Sequence, residues 1–238
     1  MQVRSHGMTD RGMVRPFNED AYFMDDAHRV YAVADGLGGL PGGADTSQRI
    51  VALLAKSMRH IDADEERFDL AELILGINQI ISKEGLDAHP FTGTGSTLTL
   101  CQIVADQLLI GHVGDSALYL HRAGTLEKLT IDHTLEQELI DQHGAAAREH
   151  MPTEYPHTLT RCVGQEGELR VDQNRVTLLP GDQILLCTDG LNKVVEESQI
   201  NQVLSSDNDL ESICRALTQK AHEQEGPDNI TLITLRCG

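Results

Sequence analysis

Four aspartates stand where apolar runs end or begin. Asp35 closes the strand-like run of "RVYAVADGLGGLPGG" (residues 29–43), Asp189 closes "QILLCTDG", Asp115 follows the run in "LLIGHVGDS", and Asp228 heads "PDNITLITLR". Taken singly, each is an ordinary turn or cap residue. Adjacent antiparallel strands, however, present opposite chain ends at one sheet edge, so carboxylates at strand exits and at a strand entrance can converge. Converged carboxylates repel and raise one another's pKa unless cations sit between them. Oxygen donors with neither thiolate nor paired imidazole suit Mg2+ or Mn2+ rather than zinc. The 11 histidines form no H-E-x-x-H spacing. This pattern indicates a metal site and leaves the reaction open. A second group, Arg15, Glu19 and Asp20 in "RPFNED", reads either as a solvated charged run or as a guanidinium fork for phosphate oxygens beside further metal-directed carboxylates.

Those residues need a scaffold of strands. Apolar strand-like runs fall at residues 30–34, 96–104, 107–113, 116–121, 183–188 and 229–235. Helical spacing appears in "DTSQRIVALLAKSMRHI", where Ile50, Val51, Leu54 and Met58 share a face, and in "FDLAELILGINQII", where Leu70, Leu73, Ile77 and Ile81 do. Leu210, Ile213, Leu217 and Ala221 mark a third helix. The strands cluster and are joined by short hairpin-like links, "ADQ" at 105–107 and "GD" at 114–115, which predicts an α+β fold with antiparallel sheets. Residues 141–170 are polar and carry no sustained strand-like run, so they read as a surface excursion. With no linker or repeat, residues 1–238 are expected to form one domain.

Composition narrows the partners. Nineteen basic against 37 acidic residues give a formal charge of −18, which repels a phosphate backbone and argues against nucleic-acid binding. An anionic ligand would have to be attracted locally, by a few arginines or by bound cations. The five cysteines are scattered, without C-x-x-C spacing, and read as buried reduced thiols. No apolar signal core and no 18-residue apolar stretch is present, so a cytoplasmic location without membrane association is expected.

The chain resembles the metal-dependent serine/threonine protein phosphatases of type 2C, in their compact bacterial form, over nearly all of its length. The resemblance rests on "DRGMVRPFNEDAYF", "VADGLGG", "GTGSTLTL", "HVGDSALYL", "PGDQILLCTDGL" and "GPDNIT", six motifs in family order. It implies a four-layer αββα sandwich, two central antiparallel β-sheets flanked by helices, with a flap at roughly 141–170. It also implies hydrolysis of phosphoserine and phosphothreonine in phosphoproteins by a metal-activated water at a dinuclear Mn2+ or Mg2+ centre, opposing a bacterial Ser/Thr kinase. Carried over residue by residue, Asp35 would bridge two ions, with the Gly36 carbonyl on one of them and Asp189 and Asp228 on the other. Glu19 would serve the Gly36 side, and Asp20 would hold the water. Asp115 would join Asp189 at a weaker third ion, and Arg15 would grip the substrate phosphate. Two ions and one arginine would make a local positive site on an acidic protein.

Two positions depart from the family pattern. Leu37 stands where some relatives carry a histidine proposed as general acid, and Ala117 replaces the usual arginine after "VGDS". Among rival readings, a cysteine phosphatase needs C-x-x-x-x-x-R, which no cysteine here provides. A two-metal nuclease should carry basic stripes. A catalytically weak module that only binds phosphoproteins would be expected to lack Asp35, Asp189 or Asp228, and all three are present.

Overall fold

Successive side chains of a strand point to opposite faces, and this alternation sorts the apolar residues into three core layers. The computed structural model describes residues 1–59 and 69–238, without the side chains of residues 149 and 150. In chain order the strands are β1 (Val3–Asp10), β2 (Asp20–Asp25), β3 (Val30–Asp35), β4 (Leu98–Val104), β5 (Gln107–Val113), β6 (Ala117–Arg122), β7 (Thr125–Lys128), β8 (Asp172–Thr177), β9 (Gln183–Cys187) and β10 (Ile230–Cys237). They pair antiparallel into two five-stranded sheets, ordered β1-β10-β9-β6-β7 and β2-β3-β4-β5-β8. The helices are α1 (Gly43–Met58), α2 (Leu70–Ala88), α3 (Leu135–His143), the short α4 (Asp189–Asn192), α5 (Glu197–Leu204) and α6 (Leu210–Glu223).

Val30, Ala32 and Ala34 of β3 face α1 and α2, packing with Ile50, Leu54, Ile74 and Ile81. Tyr31 and Val33, one residue out of phase, face the other sheet and meet Leu118, Ile184, Leu186 and Ile233. On the far side, Leu185, Cys187 and Leu232 pack under Ile200, Ile213, Leu217 and Ala221 of α5 and α6. The result is the expected four-layer αββα arrangement. Each fully buried Leu or Ile contributes roughly 1.5–3 kcal/mol over exposure. Asp69 and Asp209 cap α2 and α6, accepting from the N–H groups of Ala71 and Ser212. His60 and Ile61, which ended the first helical run in the sequence, and Phe68, which opened the second, lie outside the described residues.

The link at Gly114-Asp115 does not close a hairpin. β5 and β6 belong to different sheets, so Asp115 sits on the crossing from one sheet to the other. Gly114 adopts φ 110°, the left-handed region that favours glycine. His133 pins this crossing, accepting from Gly114 N–H at Nδ1 (3.0 Å) and donating its own N–H to the Gly114 carbonyl (2.8 Å). The polar excursion is built from turns: α3 is capped by the Thr134 hydroxyl, and 3-10 turns follow at Ala145–His150 and Tyr155–His157.

Candidate metal centre and active site

The sheet register brings the carboxylates together. Asp20 opens β2 directly opposite Asp35, the last residue of β3. In the other sheet, antiparallel β9 and β10 place Asp189, just after β9, beside Asp228, just before β10. Asp115 arrives on the crossing between the sheets. Arg15, Glu19, Asp35, Gly36, Asp115, Asp189 and Asp228 line one cleft of about 540 Å³. Asp20, the remaining residue named from the sequence, is buried immediately behind it.

Backbone and hydroxyl groups hold these acids in place. Asp35 N–H donates to Thr97 Oγ1 (2.9 Å), and Thr97 N–H donates to the Asp35 carbonyl (2.8 Å). Thr188 Oγ1 donates to Asp20 Oδ2 (2.7 Å) and accepts from Thr231 N–H (3.0 Å). Asn229 ties the loop carrying Arg15: its Oδ1 accepts from Glu19 N–H (2.8 Å), and its Nδ2 donates to the carbonyls of Arg11 (2.8 Å) and Phe17 (2.9 Å). Gly36 N–H donates to the Glu19 carbonyl (3.1 Å). A Cβ built on Gly38 would lie 2.6 Å from Glu19 Oε2 and 3.1 Å from Arg15 Nη1, so both side chains lean against the 36–39 turn.

The electrostatics are those of crowded acids. Burial pushes the Asp35 carboxyl well above the usual carboxylate range, and Asp20, Asp189, Asp115 and Asp228 push it further. Burial likewise lifts Asp20 to about 7, against hydrogen bonds from Thr188 and Thr231 that favour its charged form. Burial and Asp189 raise Asp115 to about 6. Two protein cations occupy the rim. Arg15 Nη2 bonds Asp228 Oδ2 at 2.7 Å, while Lys193 Nζ bonds Asp115 Oδ2 and lies 3.2 Å from Asp189 Oδ2. Burial would lower the Lys193 ammonium, but Asp115 and Asp189 outweigh it and hold it above its ordinary value.

Among the described residues no three His, Cys, Asp or Glu side chains are closed up into a metal-ligand set; Arg15 and Lys193 engage the outer carboxylates instead. The donors nevertheless fit hard divalent cations. All are oxygens, Asp20 Oδ1 is buried without a partner, and burial together with the neighbouring acids pushes the Asp35 carboxyl up, a bias a divalent cation would relieve. The third ion expected at Asp115 meets a different arrangement, since Lys193 already bonds that carboxylate.

Sequence reasoning missed Lys193, Asn229, Thr188 and Thr97. Asn229 lay inside the quoted "GPDNIT", and Lys193 follows Asp189 by four residues, a spacing that ordinarily gives a surface ion pair. His157, Thr158 and Leu159 of the polar excursion line the cleft.

The raised carboxyls set a pH dependence for the metal-free protein. A carboxyl whose pKa is higher in the folded than in the unfolded chain binds more protons when folded, so its stabilising contribution is present in acid and lost with rising pH. For Asp20 and Asp115 the loss runs from the ordinary carboxyl value near ~4 to about 7 and about 6. The melting temperature of chelator-treated protein should therefore fall between about pH 4 and 7, and Asp20→Asn should flatten the fall. A melting temperature that rises across this window would contradict the crowding.

A cleft of hard oxygen donors beside an arginine, set between two antiparallel sheets, suits divalent cations and an anionic group such as a phosphoryl. The family model described as protein phosphatase 2C matches residues 14–231. The serine/threonine phosphatase stp of Listeria monocytogenes serovar 1/2a is 32% identical over 232 residues, covering 94% of this chain and 92% of that protein. The serine/threonine protein phosphatase PstP of Mycobacterium tuberculosis strain H37Rv is 34% identical over 236 residues, covering 97% of this chain and 44% of the relative. The structure of the PstP catalytic domain in complex with 2 manganese ions superposes with a TM-score of 0.82 at 33% identity, covering 98% of this chain and 97% of that one. That of PppA, a key regulatory component of T6SS in Pseudomonas aeruginosa, does so with 0.85 at 32% identity, covering 100% and 99%. The chain belongs to the protein phosphatase 2C family and is, by that membership, a protein phosphatase.

Proposed function

We propose that this protein hydrolyses phosphoserine and phosphothreonine in phosphoproteins at the Asp35 cleft, using a pair of Mn2+ or Mg2+ ions, and so opposes a Ser/Thr kinase. The observation that carries this reading is the convergence of Asp20, Asp35, Asp189 and Asp228, acids that raise one another's pKa, next to the guanidinium of Arg15. Asp35, Asp189, Asp228, Glu19 and the Gly36 carbonyl would hold the pair. When bound, it supplies a water acidified toward neutral pH and positive charge for the phosphoryl oxygens. Arg15 takes two oxygens of the phosphate on its planar fork. Asp20, held by Thr188, fixes the orientation of a water in the cleft, its orphan Oδ1 being the free acceptor. Leu37, in the turn lining the cleft, offers no proton, so the leaving oxygen takes one from water or from another group.

The whole chain acts as one catalytic domain, with the turns of residues 141–170 as a flap over the cleft. The free cysteines, Cys101, Cys162, Cys187, Cys214 and Cys237, suit a reducing, cytoplasmic setting. Hydrolysis of a phosphothreonine peptide should require added Mn2+ or Mg2+, stop with a chelator and survive thiol alkylation. Arg15→Ala should raise KM for the peptide by about tenfold, the worth of one charge-assisted contact of roughly 1.4 kcal/mol, with the melting temperature unchanged. Chelator-resistant, alkylation-sensitive activity would overturn the reading.

A further inference from the structure

Lys193 joins two parts of the cleft through one ammonium. Its backbone N–H donates to the carbonyls of Asp189 and Leu191, closing α4 and fixing the root of the side chain. At the other end, Nζ bonds Asp115 Oδ2, lies 3.2 Å from Asp189 Oδ2, and donates to the Pro156 carbonyl at 2.9 Å. An ammonium has three N–H donors; here two are spent on Asp115 and the Pro156 carbonyl, and the Asp189 carboxylate lies beside it as an ion partner. The side chains are largely shielded: Lys193 is 17% exposed, Asp189 15% and Asp115 6%. Pro156 lies in the 3-10 turn Tyr155–His157, and the adjoining His157, Thr158 and Leu159 form the cleft wall. One charge therefore fastens the crossing between the sheets, the start of α4 and the polar excursion to each other.

We propose that Lys193 is a resident monocation at the Asp115–Asp189 corner, taking the place of a third metal ion and anchoring the 155–159 segment over the cleft. The inference rests on the two-ion reading above and adds to it that this chain fills the third position with its own side chain. Two features of the geometry support it. Mg2+ needs an octahedral set of oxygens at about 2.1 Å, whereas the Lys193 ammonium sets Asp189 and Pro156 at hydrogen-bond spacing, and one of its three partners is a neutral carbonyl. Withdrawing the ammonium would leave a largely buried Asp115 without its partner, which is strongly unfavourable unless another cation enters. Lys193 is thus a positioning residue, acting through Asp115, Asp189 and the segment it tethers.

The test counts ions on the full chain. Equilibrium dialysis against Mn2+ near pH 7.5 should find two ions per chain in the wild type and three in Lys193→Met. The count should return to two in Lys193→Met/Asp115→Asn. Hydrogen exchange of the amides in 155–160 should accelerate at least tenfold in Lys193→Met, a change that should be largely absent in Lys193→Arg, which keeps the charge. A wild type that takes up three ions, or a folded Met variant that stays at two with unchanged exchange, overturns the proposal. If the Met variant does not fold, the wild-type count alone decides, two supporting and three overturning. A wild type that binds no Mn2+ overturns the two-ion reading instead, and the exchange measurement still decides whether Lys193 anchors the segment.

Discussion

Asp35→Asn should lose Mn2+ binding in the cleft and lower turnover by at least about a thousandfold, roughly 4 kcal/mol of transition-state stabilisation. Asp35 ends β3 opposite Asp20, and its backbone is held on both sides by Thr97. Its carboxyl is crowded by Asp20, Asp189, Asp115 and Asp228. Asn preserves the size of the side chain and every backbone bond but cannot carry the charge that would hold two cations together. The same change removes one of the mutually repelling acids, so the metal-free variant should melt no lower than the metal-free wild type. Activity and metal-free stability thus move independently, which separates loss of the centre from loss of the fold. Isothermal calorimetry with Mn2+, single-turnover hydrolysis and a melting scan on the same preparation check all three. A variant that keeps tight Mn2+ binding and turnover would show that Asp35 is only the turn residue its Asp-Gly dipeptide suggests.

Gly36→Ala should damage both the fold and the cleft. A Cβ at this position would lie 2.2 Å from the Gly43 carbonyl oxygen and 2.7 Å from that of Glu19. Both obstacles are backbone, one at the start of α1 and one just before β2, so neither can swing aside as a long side chain would. Overpacking of this kind costs about 3 kcal/mol, which corresponds to a fall in melting temperature of roughly 6–12 °C for a chain of this size. Because the contacts are with the segment carrying Glu19, Mn2+ affinity should fall as well. Gly39→Ala is the control: no atom lies within 4 Å of its built Cβ, so its melting temperature should not move.

The sequence disclosed the centre of each sheet and left the edges unseen. The apolar runs that stand out became β3, β4 and β5 of one sheet and β6, β9 and β10 of the other, all covered on both faces. The four strands not anticipated, β1, β2, β7 and β8, are the outermost of their sheets. Edge strands tolerate polar residues because one side meets water or a loop, so "VRSHGMTD" and "DQNRVT" carry no strong apolar signal. β2 was obscured further because it begins inside the charged cluster at Asp20. The aspartates were legible because a carboxylate at the mouth of an apolar run is conspicuous. Their supports were not: a threonine hydroxyl that holds Asp20, an asparagine that ties the Arg15 loop and a lysine that meets Asp115 from 78 residues away act through contacts that only the paired sheets create. The Gly114-Asp115 link was misread for the same reason, since a two-residue turn looks alike whether it closes a hairpin or carries the chain between sheets.

The most direct measurement is anomalous diffraction near the manganese absorption edge from crystals soaked in Mn2+. Two peaks are predicted in the cleft, sharing Asp35, with the Gly36 carbonyl beside one and Asp189 and Asp228 beside the other, and both should vanish in Asp35→Asn. A protein that dephosphorylates its peptide while the cleft shows no anomalous peak, or shows peaks only elsewhere, would contradict the account.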